Sequence, residues 1–107
     1  MILVACNKSG DKRLLHCVGH AGFEPGKDIV CAAMSALSGS LVATLLKHED
    51  EFLSLFYQEG DGECRVVCTG EAAAPYFEFA LVGMHKLEQE FPSNICIFGD
   101  YEGEKNA

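Results

Sequence analysis

Basic side chains are scarce in this sequence. Eight Lys and Arg stand against sixteen Asp and Glu, for a formal net charge of −8 over 107 residues. Nucleic-acid binders draw most of their affinity from Lys and Arg that neutralise phosphates, so a direct nucleic-acid binder is excluded. The deficit is uneven: residues 1–48 carry five basic against three acidic side chains, and residues 49–107 carry three against thirteen. A charged partner, if there is one, is expected to be basic.

No secretory leader is visible, and none is expected. The apolar start Met1–Cys6 is too short for one and runs straight into Asn7 and Lys8. The six cysteines (Cys6, Cys17, Cys31, Cys64, Cys68 and Cys96) are therefore expected as reduced thiols in a cytoplasmic protein, not as a disulfide framework. Neither a Cys-x-x-Cys pair nor a Cys-x5-Arg loop occurs: the position that would need arginine is Leu37. That argues against a thioredoxin-type dithiol, a dense metal site and a phosphatase loop. His16, His20 and Cys31 are the one loose set that could approach a metal, and no metal or other cofactor is expected. The longest uncharged run, residues 29–46, is diluted by Ser35, Ser38, Gly39, Ser40 and Thr44 and has no aromatic belt or basic flank. It reads as a buried helix and not as a membrane span.

No repeat, linker or composition break divides the chain, so residues 1–107 are read as one domain. Residues 2–6 are continuously apolar, as in a strand buried on both faces. A turn over 7–12 leads to a second strand over 13–19, and a loop with Gly22, Pro25 and Gly26 follows. Asp28 is a suitable N-cap for a helix reaching about Leu46 or Lys47. Residues 52–58 and 63–69 alternate at period two around 59–62, a second hairpin. Pro75 opens a second helix ending near Phe91, with a core stripe of Phe77, Ala80, Leu81, Met84, Leu87 and Phe91. Residues 94–98 form a last strand. The order ββαββαβ predicts a two-layer α+β fold, a mostly antiparallel sheet with two helices on one face. Apolar surface left on both helices, including Tyr76, Phe79 and Val82, predicts a homodimer.

The chemistry concentrates between residues 19 and 37. With Asp28 as cap, Cys31 falls at the third helical position, where backbone N–H groups lack intrahelical partners and the helix dipole favours a thiolate. His20 closes the preceding strand and could take the thiol proton. Ser35 lies one turn beyond Cys31 on the same face and could orient the imidazole or donate to an oxyanion. The plain alternative is that Cys31 is one more buried thiol and His20 a strand-end histidine. His48, in the acidic run of residues 48–51, reads as solvated, and His85 as packing.

The pattern Gly19-His20-Ala21, a short glycine-containing loop, then Gly26-Lys27-Asp28-Ile29-Val30-Cys31-Ala32-Ala33-Met34-Ser35-Ala36-Leu37 strongly resembles the signature of the ribosomal-processing cysteine proteases, the Prp family. The resemblance implies a cytoplasmic homodimeric endopeptidase that removes the N-terminal extension of the large-subunit ribosomal protein L-twenty-seven. By position it makes Cys31 the nucleophile and His20 the general base, with Gly19, Asp28 and Ser35 in support. It makes Ala21, Gly22, Phe23, Glu24, Pro25, Gly26 and Lys27 a mobile substrate loop. That loop is shorter than is usual in the family, and Pro25 stands where an aromatic residue is common, which stiffens it. The rival from another class is a non-enzymatic ribosome-assembly factor holding a basic ribosomal tail.

Overall fold

The computed structural model describes residues 1–22 and 28–99. Residues 23–27 of the expected substrate loop, and the acidic segment after residue 99, lie outside the described residues. The strands are β1 (Ile2–Ser9), β2 (Lys12–Val18), β3 (Ser54–Gly60), β4 (Glu63–Thr69) and β5 (Ile95–Phe98), with helices α1 (Ile29–Lys47) and α2 (Ala74–Glu90). Single 3-10 turns at Glu49–Glu51 and Glu71–Ala73 lead into β3 and α2. The sheet order is β3-β4-β2-β1-β5. All neighbours are antiparallel except β1 and β5, which run parallel. This is the α+β order that the hydrophobic pattern predicts.

Period-two alternation decides which sheet face is covered. Ile2, Val4 and Cys6 of β1, Leu15 and Cys17 of β2, Cys64, Val66 and Cys68 of β4, and Ile95 and Ile97 of β5 share one buried cluster with the helices. Val30, Met34, Leu41, Val42 and Leu45 of α1 and Phe77, Ala80, Leu81 and Met84 of α2 complete it. By length and composition alone α1 could cross a membrane; here it packs on α2 and the sheet. The opposite sheet face keeps Leu3, Val18, Phe56 and Phe98 exposed.

Three local expectations are corrected. β1 is buried on one face only, with Leu3 45 % exposed, because both helices lie on the same side of the sheet. The first hairpin is tighter than a turn over 7–12: pairing continues through Ser9↔Lys12, and Gly10 at φ +62° supplies the left-handed residue a two-residue turn requires. β3 starts at Ser54 and not at Phe52, because the 3-10 turn at Glu49–Glu51 takes up the chain first.

Candidate active site

Cys31 is placed by the start of α1. Asp28 has extended backbone angles and its Oδ1 accepts from the Cys31 N–H at 2.9 Å, the capping bond expected of Asp there. The Ala32 N–H bonds the Asp28 carbonyl at 3.1 Å. The N–H groups of Cys31 and Ala32 are therefore already engaged. The unpartnered donors expected at the helix start do not therefore include these two groups. The donor that does face the sulfur comes from elsewhere: the Ala21 N–H reaches Cys31 Sγ at 3.1 Å.

His20 is placed by the end of β2. Alternation stops at Gly19, whose φ of +105° is a left-handed value that side chains rarely adopt. A Cβ at Gly19 would also lie 2.5 Å from the Met1 carbonyl oxygen. The Gly19 N–H donates to the Gly62 carbonyl at 2.8 Å, and the Met1 ammonium donates to the His20 carbonyl at 2.6 Å. The break separates His16 from His20. His16 bonds Glu63 at 2.7 Å on the uncovered sheet face, whereas His20 turns to the cleft, so the two do not form a pair of metal ligands. Among the described residues no group of three or more His, Cys, Asp or Glu side chains is arranged to hold a metal ion.

His20 and Cys31 line one open cleft of about 290 Å³. Gly19, Ile2, Met34, Ser35 and Ser38 lie on its walls, with Cys17 and Cys64; Glu59 and Asp61 give it an acidic rim, while Glu63 at its edge has its carboxylate on His16. Ser35 faces this cleft, as its one-turn spacing from Cys31 predicts. Among the described residues no hydrogen bond joins His20 to Cys31. The imidazole, 63 % exposed, lies against the β3–β4 turn, with Nε2 3.9 Å from Asp61 Oδ1.

The other thiols differ from Cys31 in their surroundings. Burial, with Cys64 and Cys6 beside it, pushes Cys17 up to about 12. Cys64 is raised by burial and by Glu59, with Ser38 opposing, and Cys68 by burial, with Arg13 opposing. These three are core thiols held protonated. Cys31 is half-buried and Cys96 exposed. His48 departs from the solvated reading: it bonds Glu51 at 2.7 Å and stacks on Tyr76 with ring centroids 5.3 Å apart.

Two parts of the cleft's framework have no clear signal in the sequence. The Asp61-Gly62 turn reads as an ordinary hairpin tip, yet it lies under His20. Asn94 sends its Nδ2 to the Ala21 carbonyl at 2.9 Å, while its own carbonyl accepts from Ile2 N–H at 2.8 Å. Ala21, whose N–H faces Cys31, is thus held through its own carbonyl by the residue just before β5.

The sequence profile described as cysteine protease Prp matches residues 1–96. A crystal structure of an essential ribosomal processing protease Prp from S. aureus, in complex with a covalently linked product peptide, is similar at TM-score 0.79 and 25 % identity, covering 94 % of this chain and 100 % of that one. A second structure of the S. aureus protease, with a substrate peptide, has TM-score 0.78 and 24 % identity, at 94 % and 100 % coverage. SMU.848 from Streptococcus mutans has TM-score 0.68 and 29 % identity, covering 94 % of this chain and 96 % of that one. Comparison with curated protein sequences gives no match. The chain belongs to the Prp family of cysteine proteases.

Proposed function

We propose that this protein is the cytoplasmic endopeptidase that removes the N-terminal extension of ribosomal protein L-twenty-seven, with Cys31 as nucleophile and His20 as general base and acid. The observation that carries the reading is the shared cleft, which both His20 and Cys31 line, with the N–H of Ala21, the residue after His20, on the sulfur. The similar S. aureus protein, described as a ribosomal processing protease, has structures with a substrate peptide and with a covalently linked product peptide, which supports a peptide substrate here.

In the reaction, the Cys31 thiol gives its proton to His20 and the sulfur attacks the scissile carbonyl carbon. The C–N bond then breaks, the amine leaving with the proton from His20. Water hydrolyses the thioester, and thiol and imidazole are restored. The Ala21 N–H, already aimed at the sulfur, is a placed donor for the oxyanion. Asp28 fixes the first turn of α1, Gly19 lets the chain turn at His20, and Ser35 lines the cleft one turn from the nucleophile. Residues 21–27 serve as the substrate loop, and the acidic rim favours a substrate with basic residues near the cut.

A homodimer fits the remaining apolar surface. Between α1 and α2 runs a groove lined by Leu37, Leu41, Tyr76, Phe79 and Ala80. Phe79 is 77 % and Val82 55 % exposed, which a second copy would cover.

The test is intact-mass analysis of a synthetic peptide spanning the host L-twenty-seven N-terminus, after incubation with wild type and Cys31→Ala. One cut by wild type and none by the variant is expected. No cut by either, on a peptide confirmed to carry an extension, would replace the protease reading with that of a binding factor.

A further inference from the structure

The backbone of His20 is tied down on both sides, but its side chain is held by little. Its ring rests on Gly62, where a Cβ would come within 2.8 Å of Nε2 and 3.2 Å of Cε1. Gly62 also has φ +71°, so glycine there serves both the turn and the close approach of the imidazole. Three acidic residues border the cleft. Glu63 is engaged by His16 at 2.7 Å, and Glu59 lies toward α1, with Oε2 4.0 Å from where a Cβ at Gly39 would be. Asp61 is the carboxylate beside the imidazole, its Oδ1 3.9 Å from Nε2 and its side chain 98 % exposed. That separation is an ion-pair distance and too long for a hydrogen bond, yet rotation of an unencumbered side chain can close it.

We propose that Asp61 is a positioning residue for His20: in the working enzyme its carboxylate accepts a hydrogen bond from the ring nitrogen facing the turn and leaves the other nitrogen for the Cys31 thiol. This rests on the protease reading above. An imidazole with no second partner populates two tautomers and several ring orientations. A carboxylate on one nitrogen selects one tautomer, fixes the ring plane and stabilises the imidazolium formed when the thiol gives up its proton.

The experiment compares wild type, Asp61→Ala and Asp61→Asn in two ways. On the L-twenty-seven peptide, Asp61→Ala lowers kcat about tenfold with KM within about twofold, since the carboxylate acts through His20 and not on the bound peptide. In 15N-histidine NMR of the resting enzyme, His20 of wild type holds one tautomer, with its proton on the nitrogen facing the turn, and Asp61→Ala mixes the two. Asp61→Asn removes the charge and offers an N–H as well as an oxygen to the ring, so it no longer holds the single tautomer and also loses kcat. Unchanged kcat in Asp61→Ala, a loss carried by KM alone, or the same tautomer in wild type and Asp61→Ala would overturn the proposal. Failure of wild type to cut the peptide would defeat the protease reading instead, and the NMR arm, read without substrate, still decides the role of Asp61.

Discussion

The backbone N–H of Ala21 donates to the sulfur of Cys31 at 3.1 Å. One peptide group thereby joins the strand end that carries His20 to the helix start that carries the nucleophile. Only Cys31 among the six cysteines combines partial exposure with a placed N–H donor on its sulfur.

That contrast predicts the order of thiol modification. With iodoacetamide in native buffer, Cys31 and Cys96 label, while Cys6, Cys17, Cys64 and Cys68 label only on unfolding. Cys96 is the internal control for an exposed thiol without such surroundings. Peptide mapping over time is expected to show Cys31 reacting faster than Cys96, and the advantage disappearing in His20→Ala. Equal rates at the two positions would count heavily against an activated thiol.

Removing the cap at Asp28 is expected to weaken both fold and site. Asp28→Ala deprives the Cys31 N–H of its acceptor and costs about 1 kcal/mol, as other lost caps do. For a domain of this size that lowers Tm by about 4–8 °C. Asp28→Asn retains a capping oxygen and restores most of the loss, so thermal melts of the two variants separate capping from charge.

The buried thiols make stability fall at alkaline pH. The unfolded chain releases the Cys17 proton near its ordinary value of 9.0, whereas the folded protein keeps it to about 12. The folded state then holds more protons, so its stability declines as pH rises above about 9, by about 1.4 kcal/mol per pH unit for each such thiol. Cys64 and Cys68, also raised, add to the slope in the same direction. Urea unfolding across this range should show a shallower decline in Cys17→Ala than in wild type, although the variant starts lower for loss of packing. An identical slope would mean that Cys17 does not contribute.

The α1–α2 groove gives a prediction about assembly. Phe79→Asp places a charge in the middle of the apolar surface and is expected to convert a two-chain species into a single chain in sedimentation equilibrium, with unchanged circular dichroism. A wild type that sediments as one chain at all concentrations would remove the dimer from the proposal.

Local signals made much of this legible from sequence. Asp28 before an uncharged helical run marks the α1 cap, and Pro75 marks the first turn of α2. Alternation over residues 63–69 marks β4 at its observed bounds. What escaped depends on chain segments meeting from far apart. The parallel seating of β5 on β1 follows from how the helices pack, and nothing near residue 94 announces that its amide reaches Ala21. The same holds for Asp61 and Gly62, whose local pattern is that of any hairpin tip. Arg13, 2 % exposed on the covered face of β2 beside Glu71 at 3.4 Å, breaks the apolar alternation for a reason visible only in three dimensions.

The Asn94 contact has a consequence for when this protein can become active. Its amide bonds a carbonyl 73 residues earlier in the chain, in the peptide segment that faces the nucleophile. A chain severed between α2 and Asn94 would still contain His20 and Cys31, but the segment after His20 would keep only the Met1 ammonium on the His20 carbonyl and lose the Asn94 bond. The placement of the donor on Cys31 therefore draws on the approach to the last strand as well as on the signature segment, so the cleft is complete only in the finished fold.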